Sequence, residues 1–340
     1  VGSHLIRNTD IPMEQALTIM TKGGFGLSRD DISWGEYEKE KGVYELTDRQ
    51  EEYFDLMAKY KLEPIIILSA SNALYDSAPN AFPSDDTLTS AYGNYVKNLL
   101  SEPKVSAVCS MIEAINEPDI LMKHNKTPQS VKIYTNTAEQ NEERGRIYAN
   151  ILKTTNQVVQ EINTKKNEDY KLGGFSLCMI WTHNDPIKSL YLRFAEGALD
   201  ELDGEQAFDA LTLHPYGGPT DDPEIGEDGR ENPNYSSSIL YKIRRMRGLF
   251  TGENFINPTT GEESVVNDSV SGQCYNYEVP EIWHTEFGYS SAKYKTGDSQ
   301  SMCTGDDFKQ AELLLRGINI IKSDNLSDKV WIYDLIDDGM

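Results

Sequence analysis

The run Val105-Ser106-Ala107-Val108-Cys109-Ser110-Met111-Ile112-Glu113-Ala114-Ile115 leads directly into Asn116-Glu117-Pro118, and the reading of that junction decides the fold. The run is apolar enough for a buried strand. Glu117, placed where the strand ends, has left the core and faces open space. A second stretch ends in the same way: Ile282-Trp283-His284-Thr285-Glu286-Phe287-Gly288. Glu113 lies inside the first run, a charge without an evident partner at this stage.

Working outward, apolar strands alternate with amphipathic helices. A first strand, Val1 to Leu5, precedes a helix over Met13 to Thr21. Gly24 to Arg29 is a second strand, with a helix over Asp48 to Tyr60. Pro64-Ile65-Ile66-Ile67-Leu68 is the clearest strand, followed by a helix over Thr87 to Leu100 with apolar residues three and four apart. The Asn116-Glu117 strand comes fourth and is followed by a helix over Glu142 to Ile162. Gly174 to Ile180, Phe208 to Leu213, the Glu286 strand and Lys329 to Tyr333 complete the series, with helices over Ser189 to Leu199, Ser238 to Phe250 and Asp307 to Ile321 between them. Near-continuous apolar strands alternating with helices predict one closed parallel (β/α)8 barrel over residues 1–340. The chain stops soon after the eighth strand, so the eighth helix is expected to be absent. The stretches 118–141, 217–236 and 251–277 are expected to be extended loops; the last enters its strand from the opposite end.

The 340 residues carry a formal charge of -23, with 38% hydrophobic and 26% charged residues, which suits one large domain and disfavours nucleic acid and anionic membranes as partners. No apolar run reaches the length of a membrane span. Cys109 and Cys178 fall in predicted strands and read as buried thiols, while Cys274 and Cys303 lie in polar loops and could pair. The five histidines show no His-Glu-x-x-His spacing, so no metal and no cofactor is expected. Asp221-Asp222 and Glu227-Asp228-Gly229 read as solvated loop, and Gly23-Gly24-Phe25-Gly26 precedes its strand, unlike a nucleotide loop.

In a barrel of this kind the site forms at the C-terminal ends of the strands. Those ends supply His4; Arg29 and then Trp34; Ser69 and Ser71; Asn116 and Glu117; Trp181 and His183; His214 and Tyr216; Glu286; and Trp331 and Tyr333. Lysine is almost missing from the set, which disfavours Schiff-base chemistry. Two carboxylates on one cleft suit glycosidic bond cleavage: one protonates the leaving oxygen, the other attacks the anomeric carbon. Trp34, Trp181, Trp331 and Tyr216 are suited to stack on pyranose faces.

The pattern resembles the retaining glycoside hydrolases of clan A, over nearly the whole chain. The resemblance implies that Glu117 of Asn-Glu-Pro is the acid/base, Glu286 the nucleophile, and Asn116 a ligand of the sugar 2-hydroxyl. It places a substrate-site arginine on Arg29, the strand-six His-x-Tyr on His214 and Tyr216, with the tyrosine orienting the nucleophile, and a tryptophan on Trp331. The segments Trp34-Gly35-Glu36-Tyr37 and Lys41-Gly42-Val43-Tyr44 are similar to the loop after strand two. Serines stand where family 5 enzymes carry a strand-three histidine, and Tyr333 to Gly339 looks more like family 39. The implied substrate is a β-linked poly- or oligosaccharide, acted on by a secreted or cell-surface monomer. The alternative is a non-catalytic sugar-binding barrel.

Overall fold

The computed structural model describes residues 2, 4–7, 11–75, 82–83, 85–120, 137–178, 186–216, 239–253, 255–256, 263–264, 275–289, 307–323 and 327–333. The first half of the chain comprises α1 (Met13–Lys22), β1 (Leu27–Ile32), α2 (Trp34–Tyr37), α3 (Asp48–Tyr60), β2 (Glu63–Leu68), α4 (Asp86–Ser101), α5 (Pro103–Ser106) and β3 (Met111–Glu113). Then come α6 (Ala138–Lys166), β4 (Lys171–Leu177), α7 (Pro186–Leu202), β5 (Ala210–Leu213) and α8 (Ile239–Thr251). The last part holds β6 (Phe255–Ile256), β7 (Glu263–Ser264), β8 (Glu281–Phe287), α9 (Asp307–Ser323) and β9 (Lys329–Ile332).

Seven strands pair in the order β1-β2-β3-β4-β5-β8-β9, and every pairing is parallel. Gly2 bridges both Arg29 of β1 and Tyr333 beyond β9, so the sheet closes on itself. The result is a parallel barrel with helices between the strands. Among the described residues of the expected first strand, Gly2 carries the bridging, and Leu5 lies in a turn. The expected fourth strand is also shorter: Val105 belongs to α5, and only Met111 to Glu113 pairs. Pro103 at the first position of α5 explains the difference, since proline suits a helix start, and α5 with the turn that follows it takes up the run before the strand begins. Within the expected loop 251–277, β6 and β7 form an antiparallel pair apart from the barrel.

Local chemistry sets the helix starts. Thr47 with Gln50 and Thr137 with Gln140 form reciprocal caps at α3 and α6, each satisfying two backbone donors. Asp85 caps α4 by accepting from the Leu88 amide.

The barrel interior is filled in layers. Ile65, Met111, Ala210, Trp283 and Trp331 pack together there with Leu27 at their edge. Gly173 on β4 makes room for them: a Cβ there would lie 2.5 Å from Thr212 Cγ2 and 3.1 Å from the Trp283 ring. A larger apolar layer fills the space between strands and helices. α6 and α7 cross unusually closely. A Cβ on Gly145 would sit 2.0 Å from the Phe194 carbonyl oxygen, and one on Gly197 2.2 Å from that of Glu142. Among the described residues no helix is long and apolar enough to cross a membrane.

Candidate active site

The top layer of the barrel interior is ionic. Arg29, on β1, is 1% exposed. Its Nη2 and Nε donate to Glu113 at 2.5 and 3.2 Å, its Nη1 to Glu286 Oε1 at 2.6 Å, and its Nη2 also to Asn116 Oδ1 at 2.6 Å. One guanidinium therefore fixes three side chains from β3, β8 and the loop after β3. Burial alone would lower its pKa, but Glu113 and Glu286 together raise it, so Arg29 stays charged. Glu113 is the partner that balances it. A lone charge in an apolar run demands one, because an unpaired buried carboxylate is costly.

The backbone leaves β3 irregularly. Ile115 has φ 80° and Glu117 φ 41°, both in the left-handed region, which is strained for a β-branched residue. Those turns carry Asn116 and Glu117 out of the strand and into the cleft. Arg144 of α6 anchors the next two residues: its guanidinium donates to the carbonyls of Pro118 and Asp119 at 2.8 and 3.1 Å. The close α6–α7 crossing thus supports the Glu117 loop. On the other side, the β8–β9 register shifts between His284 and Phe287, and Glu286 sits at that irregularity.

His214 joins the two glutamates. Its Nδ1 lies 2.9 Å from Glu117 Oε1 and 3.6 Å from Glu286 Oε2, and its Nε2 is 3.0 Å from the Thr285 hydroxyl. With the hydroxyl donating to Nε2, the proton on Nδ1 points at Glu117. Burial pulls the imidazole pKa down, but Glu286 and Glu117 outweigh it, and the net shift is upward. Tyr216 Oη donates to Glu286 Oε2 at 2.7 Å. Glu286 is 6% exposed, and burial alone would raise its pKa. His214, Arg29 and the Tyr216 hydrogen bond reverse that, holding the carboxylate well below its ordinary range. An ionised carboxylate with both oxygens oriented is a poised nucleophile. Oxygens of Glu117 and Glu286 approach within 4.8 Å of each other.

Two expected sugar platforms are elsewhere. Trp34 is 0% exposed, stacked between Tyr75 and Tyr95, and its indole N–H donates to Glu38 at 2.6 Å. It packs the loop after β1 and does not line the cleft. Trp331 is also fully buried, beside Trp283 in the barrel interior, with its N–H on the Ser28 carbonyl at 3.1 Å. That bond holds the β1 backbone at the residue before Arg29. In both cases the indole finds an internal acceptor, which lets a large ring be buried without loss. Trp181 and His183, with Cys274, Cys303 and the acidic stretches 221–222 and 227–229, lie outside the described residues. His4, at φ 40°, faces Asp31 and Arg7 and not the glutamates.

Cys178 lies just past β4 and is part-buried at the edge of the site, where a thiol buried within a strand was expected. Its amide donates to Asp119 at 3.3 Å, and its thiol meets Glu117. Burial, then Glu117 and Asp119, push the thiol pKa well up, so it faces the carboxylate as a neutral donor. Glu117, His214 and Glu286 are also close enough to hold a metal ion. The donor set argues against that use: Glu286 already receives hydrogen bonds from Arg29 on one oxygen and Tyr216 on the other.

With this geometry in view, known proteins place the fold. No protein-family model matches the chain, and no curated protein does. Solved structures do. A family 39 glycoside hydrolase from the gut symbiont Bacteroides cellulosilyticus WH2 superposes with TM-score 0.60 at 17% identity, over 94% of this chain and 53% of that one. A β-glucosidase from Thermotoga maritima gives 0.58 at 14% identity, over 95% and 77%. An exo-β-1,4-mannosidase from Opitutaceae bacterium strain TAV5 gives 0.51 at 15% identity, over 94% and 47%. The chain has the fold of these three hydrolases. It spans about half the length of the first and the third.

Proposed function

We propose that this chain is a retaining β-glycoside hydrolase of clan A, acting on a β-linked poly- or oligosaccharide. The observation that carries the reading is the approach of Glu117 and Glu286 to within 4.8 Å, oxygen to oxygen, across His214. Retaining enzymes hold their carboxyl groups about 5–5.5 Å apart, whereas inverting ones need room for a water and roughly 6.5 Å or more.

In the first step Glu286 attacks the anomeric carbon as Glu117, protonated, gives its proton to the departing glycosidic oxygen. The glycosidic bond breaks and an ester to Glu286 forms. In the second, Glu117 as carboxylate takes a proton from water, whose oxygen attacks the same carbon. The ester opens, Glu286 returns as carboxylate, and the sugar leaves with its configuration kept. Arg29 and Tyr216 hold Glu286 in its attacking orientation. Asn116, fixed by Arg29, presents its amide to the 2-hydroxyl. His214 holds the proton-transfer carboxyl beside the nucleophile. The glycoside hydrolase, the β-glucosidase and the mannosidase that share the fold support a carbohydrate substrate.

Incubation with a panel of β-linked polysaccharides and aryl β-glycosides tests this reading. Wild-type protein is expected to release sugar. Glu286→Ala and Glu117→Ala, folded by circular dichroism, are expected to lose it by at least about a thousandfold. Glycan binding by the wild type without any released sugar would instead favour a non-catalytic sugar-binding barrel.

A further inference from the structure

The strained turn that carries Glu117 is held on both sides from one helix. Before it, the Tyr148 hydroxyl of α6 donates to the Ala114 carbonyl at 3.2 Å. After it, Arg144, also on α6, donates to the carbonyls of Pro118 and Asp119 at 2.8 and 3.1 Å. Residues 144 and 148 are four apart and so lie one above the other on a single helix face. Between the two grips stand Ile115 and Glu117, at φ 80° and 41°. Such backbone persists only where its surroundings over-determine it.

The gripping side chains are themselves fixed. Arg144 is buried; its Nη1 also donates to Asn141 Oδ1 at 3.0 Å, and its guanidinium lies 5.5 Å from the Phe194 ring centre on α7. Burial pulls its pKa down to about 10, with Asp119 opposing, so it is still a cation at neutral pH. Tyr148 is buried among Phe82, Phe175 and Phe194 and accepts the Phe175 amide at 2.7 Å, which ties the same grip to β4. Asp119 extends the tie by accepting the Cys178 amide at 3.3 Å. The other half of the site is oriented by different groups. Arg29 and Tyr216 hold Glu286, and Arg29 holds Asn116.

We propose that Arg144 is a positioning residue for proton transfer: through the carbonyls of Pro118 and Asp119 it keeps the Glu117 carboxyl at the departing glycosidic oxygen, while Arg29 serves the attacking half. The inference rests on the hydrolase reading for the role of Glu117. Arg144 acts through the backbone and not on the sugar. A carboxyl displaced by about 1 Å can lose on the order of a hundredfold in rate. That loss appears only where the leaving oxygen needs a proton.

Paired substrates test it: the phenyl and the dinitrophenyl β-glycosides of one sugar that the native protein cleaves. Phenoxide leaves poorly without a proton, whereas dinitrophenolate leaves unaided. Arg144→Met removes the donors and keeps an apolar stem. It is expected to lower kcat/KM for the phenyl glycoside about 10–100-fold and for the dinitrophenyl glycoside by less than about threefold. Arg144→Lys, which keeps the charge and reaches one carbonyl, is expected to fall between native and Arg144→Met. The ratio of the two kcat/KM values in one preparation is independent of the fraction folded, so lost stability alone leaves it unmoved. If Arg144→Met fails to fold, the ratio in Arg144→Lys decides. A ratio equal to the native one in the folded variants, whether both rates fall or neither does, would overturn the proposal and leave the hydrolase reading standing. A native protein that cleaves neither glycoside would count against the hydrolase reading itself.

Discussion

Arg29 grips Glu113 with two nitrogens, at 2.5 and 3.2 Å, and with a third reaches Glu286 at 2.6 Å. The guanidinium is 1% exposed and Glu113 0%. Two carboxylates from different strands are therefore referred to one fixed cation. Glu113→Ala removes one of them and leaves Arg29 undercompensated in a dry interior. Loss of about 3–5 kcal/mol is expected, read by chemical denaturation. Arg29→Met with Glu113→Leu is expected to recover part of that stability and none of the activity.

Tyr216→Phe removes the hydrogen bond at 2.7 Å to Glu286 and keeps the ring. A hydrogen bond to a charged group contributes about 1.5–3 kcal/mol. Steady-state kinetics are expected to show kcat/KM about 10–100-fold lower, with the thermal midpoint within a few degrees of wild type. A midpoint that falls steeply with an unchanged rate would make Tyr216 a packing residue.

The two titrating groups act in opposite directions with pH. His214 is raised above its ordinary 6.5, so its stabilising contribution is complete below that value and is lost as pH rises through the raised one. Glu286 is lowered below its ordinary 4.5, so its contribution is complete above 4.5 and is lost as pH falls through the lowered one. Stability from this cluster should therefore be greatest between about 4.5 and 6.5, seen as a plateau in urea midpoints against pH. His214→Gln should remove the decline on the alkaline side and also shrink the acid side, because His214 is one of the groups that hold Glu286 low.

Most of the architecture was readable in the sequence because strand and helix periods are local. The helix over Asp48 to Tyr60 is found with those bounds, since Thr47, Gln50 and the apolar spacing all agree. The strand read over Val105 to Ile115 is found only over Met111 to Glu113, because the start of an apolar run fits a helix turn and a strand equally well until Pro103 decides it. Glu117, Glu286, Arg29, Asn116, His214 and Tyr216 do converge, although Arg29 lies inside β1, which runs on to Ile32, and not at the end of a strand over Gly24 to Arg29. Glu113 was visible as a charge in an apolar run, but its partner lies on a different strand and only the closed barrel brings them together. Trp34 and Trp331 show the opposite failure. A tryptophan near a strand end looks like a sugar platform, and nothing local reveals that Glu38 or the Ser28 carbonyl waits for its N–H.

That reassignment of Trp34 has its own consequence. Trp34→Phe leaves Glu38, itself 0% exposed, without its 2.6 Å donor. A cost of about 1–3 kcal/mol in folding stability is expected, with KM for oligosaccharides unchanged. A rise in KM at full stability would return Trp34 to the cleft.

The central claim is that Glu286 bonds covalently to the sugar while Glu117 moves the proton. Treatment with a 2-deoxy-2-fluoro β-glycoside carrying a good leaving group, followed by peptide mass spectrometry, tests it most directly. The account predicts one sugar mass added to the peptide bearing Glu286, with inactivation in step with labelling. A label on any other residue, or turnover of substrates to the inverted anomer with no adduct formed, would contradict it.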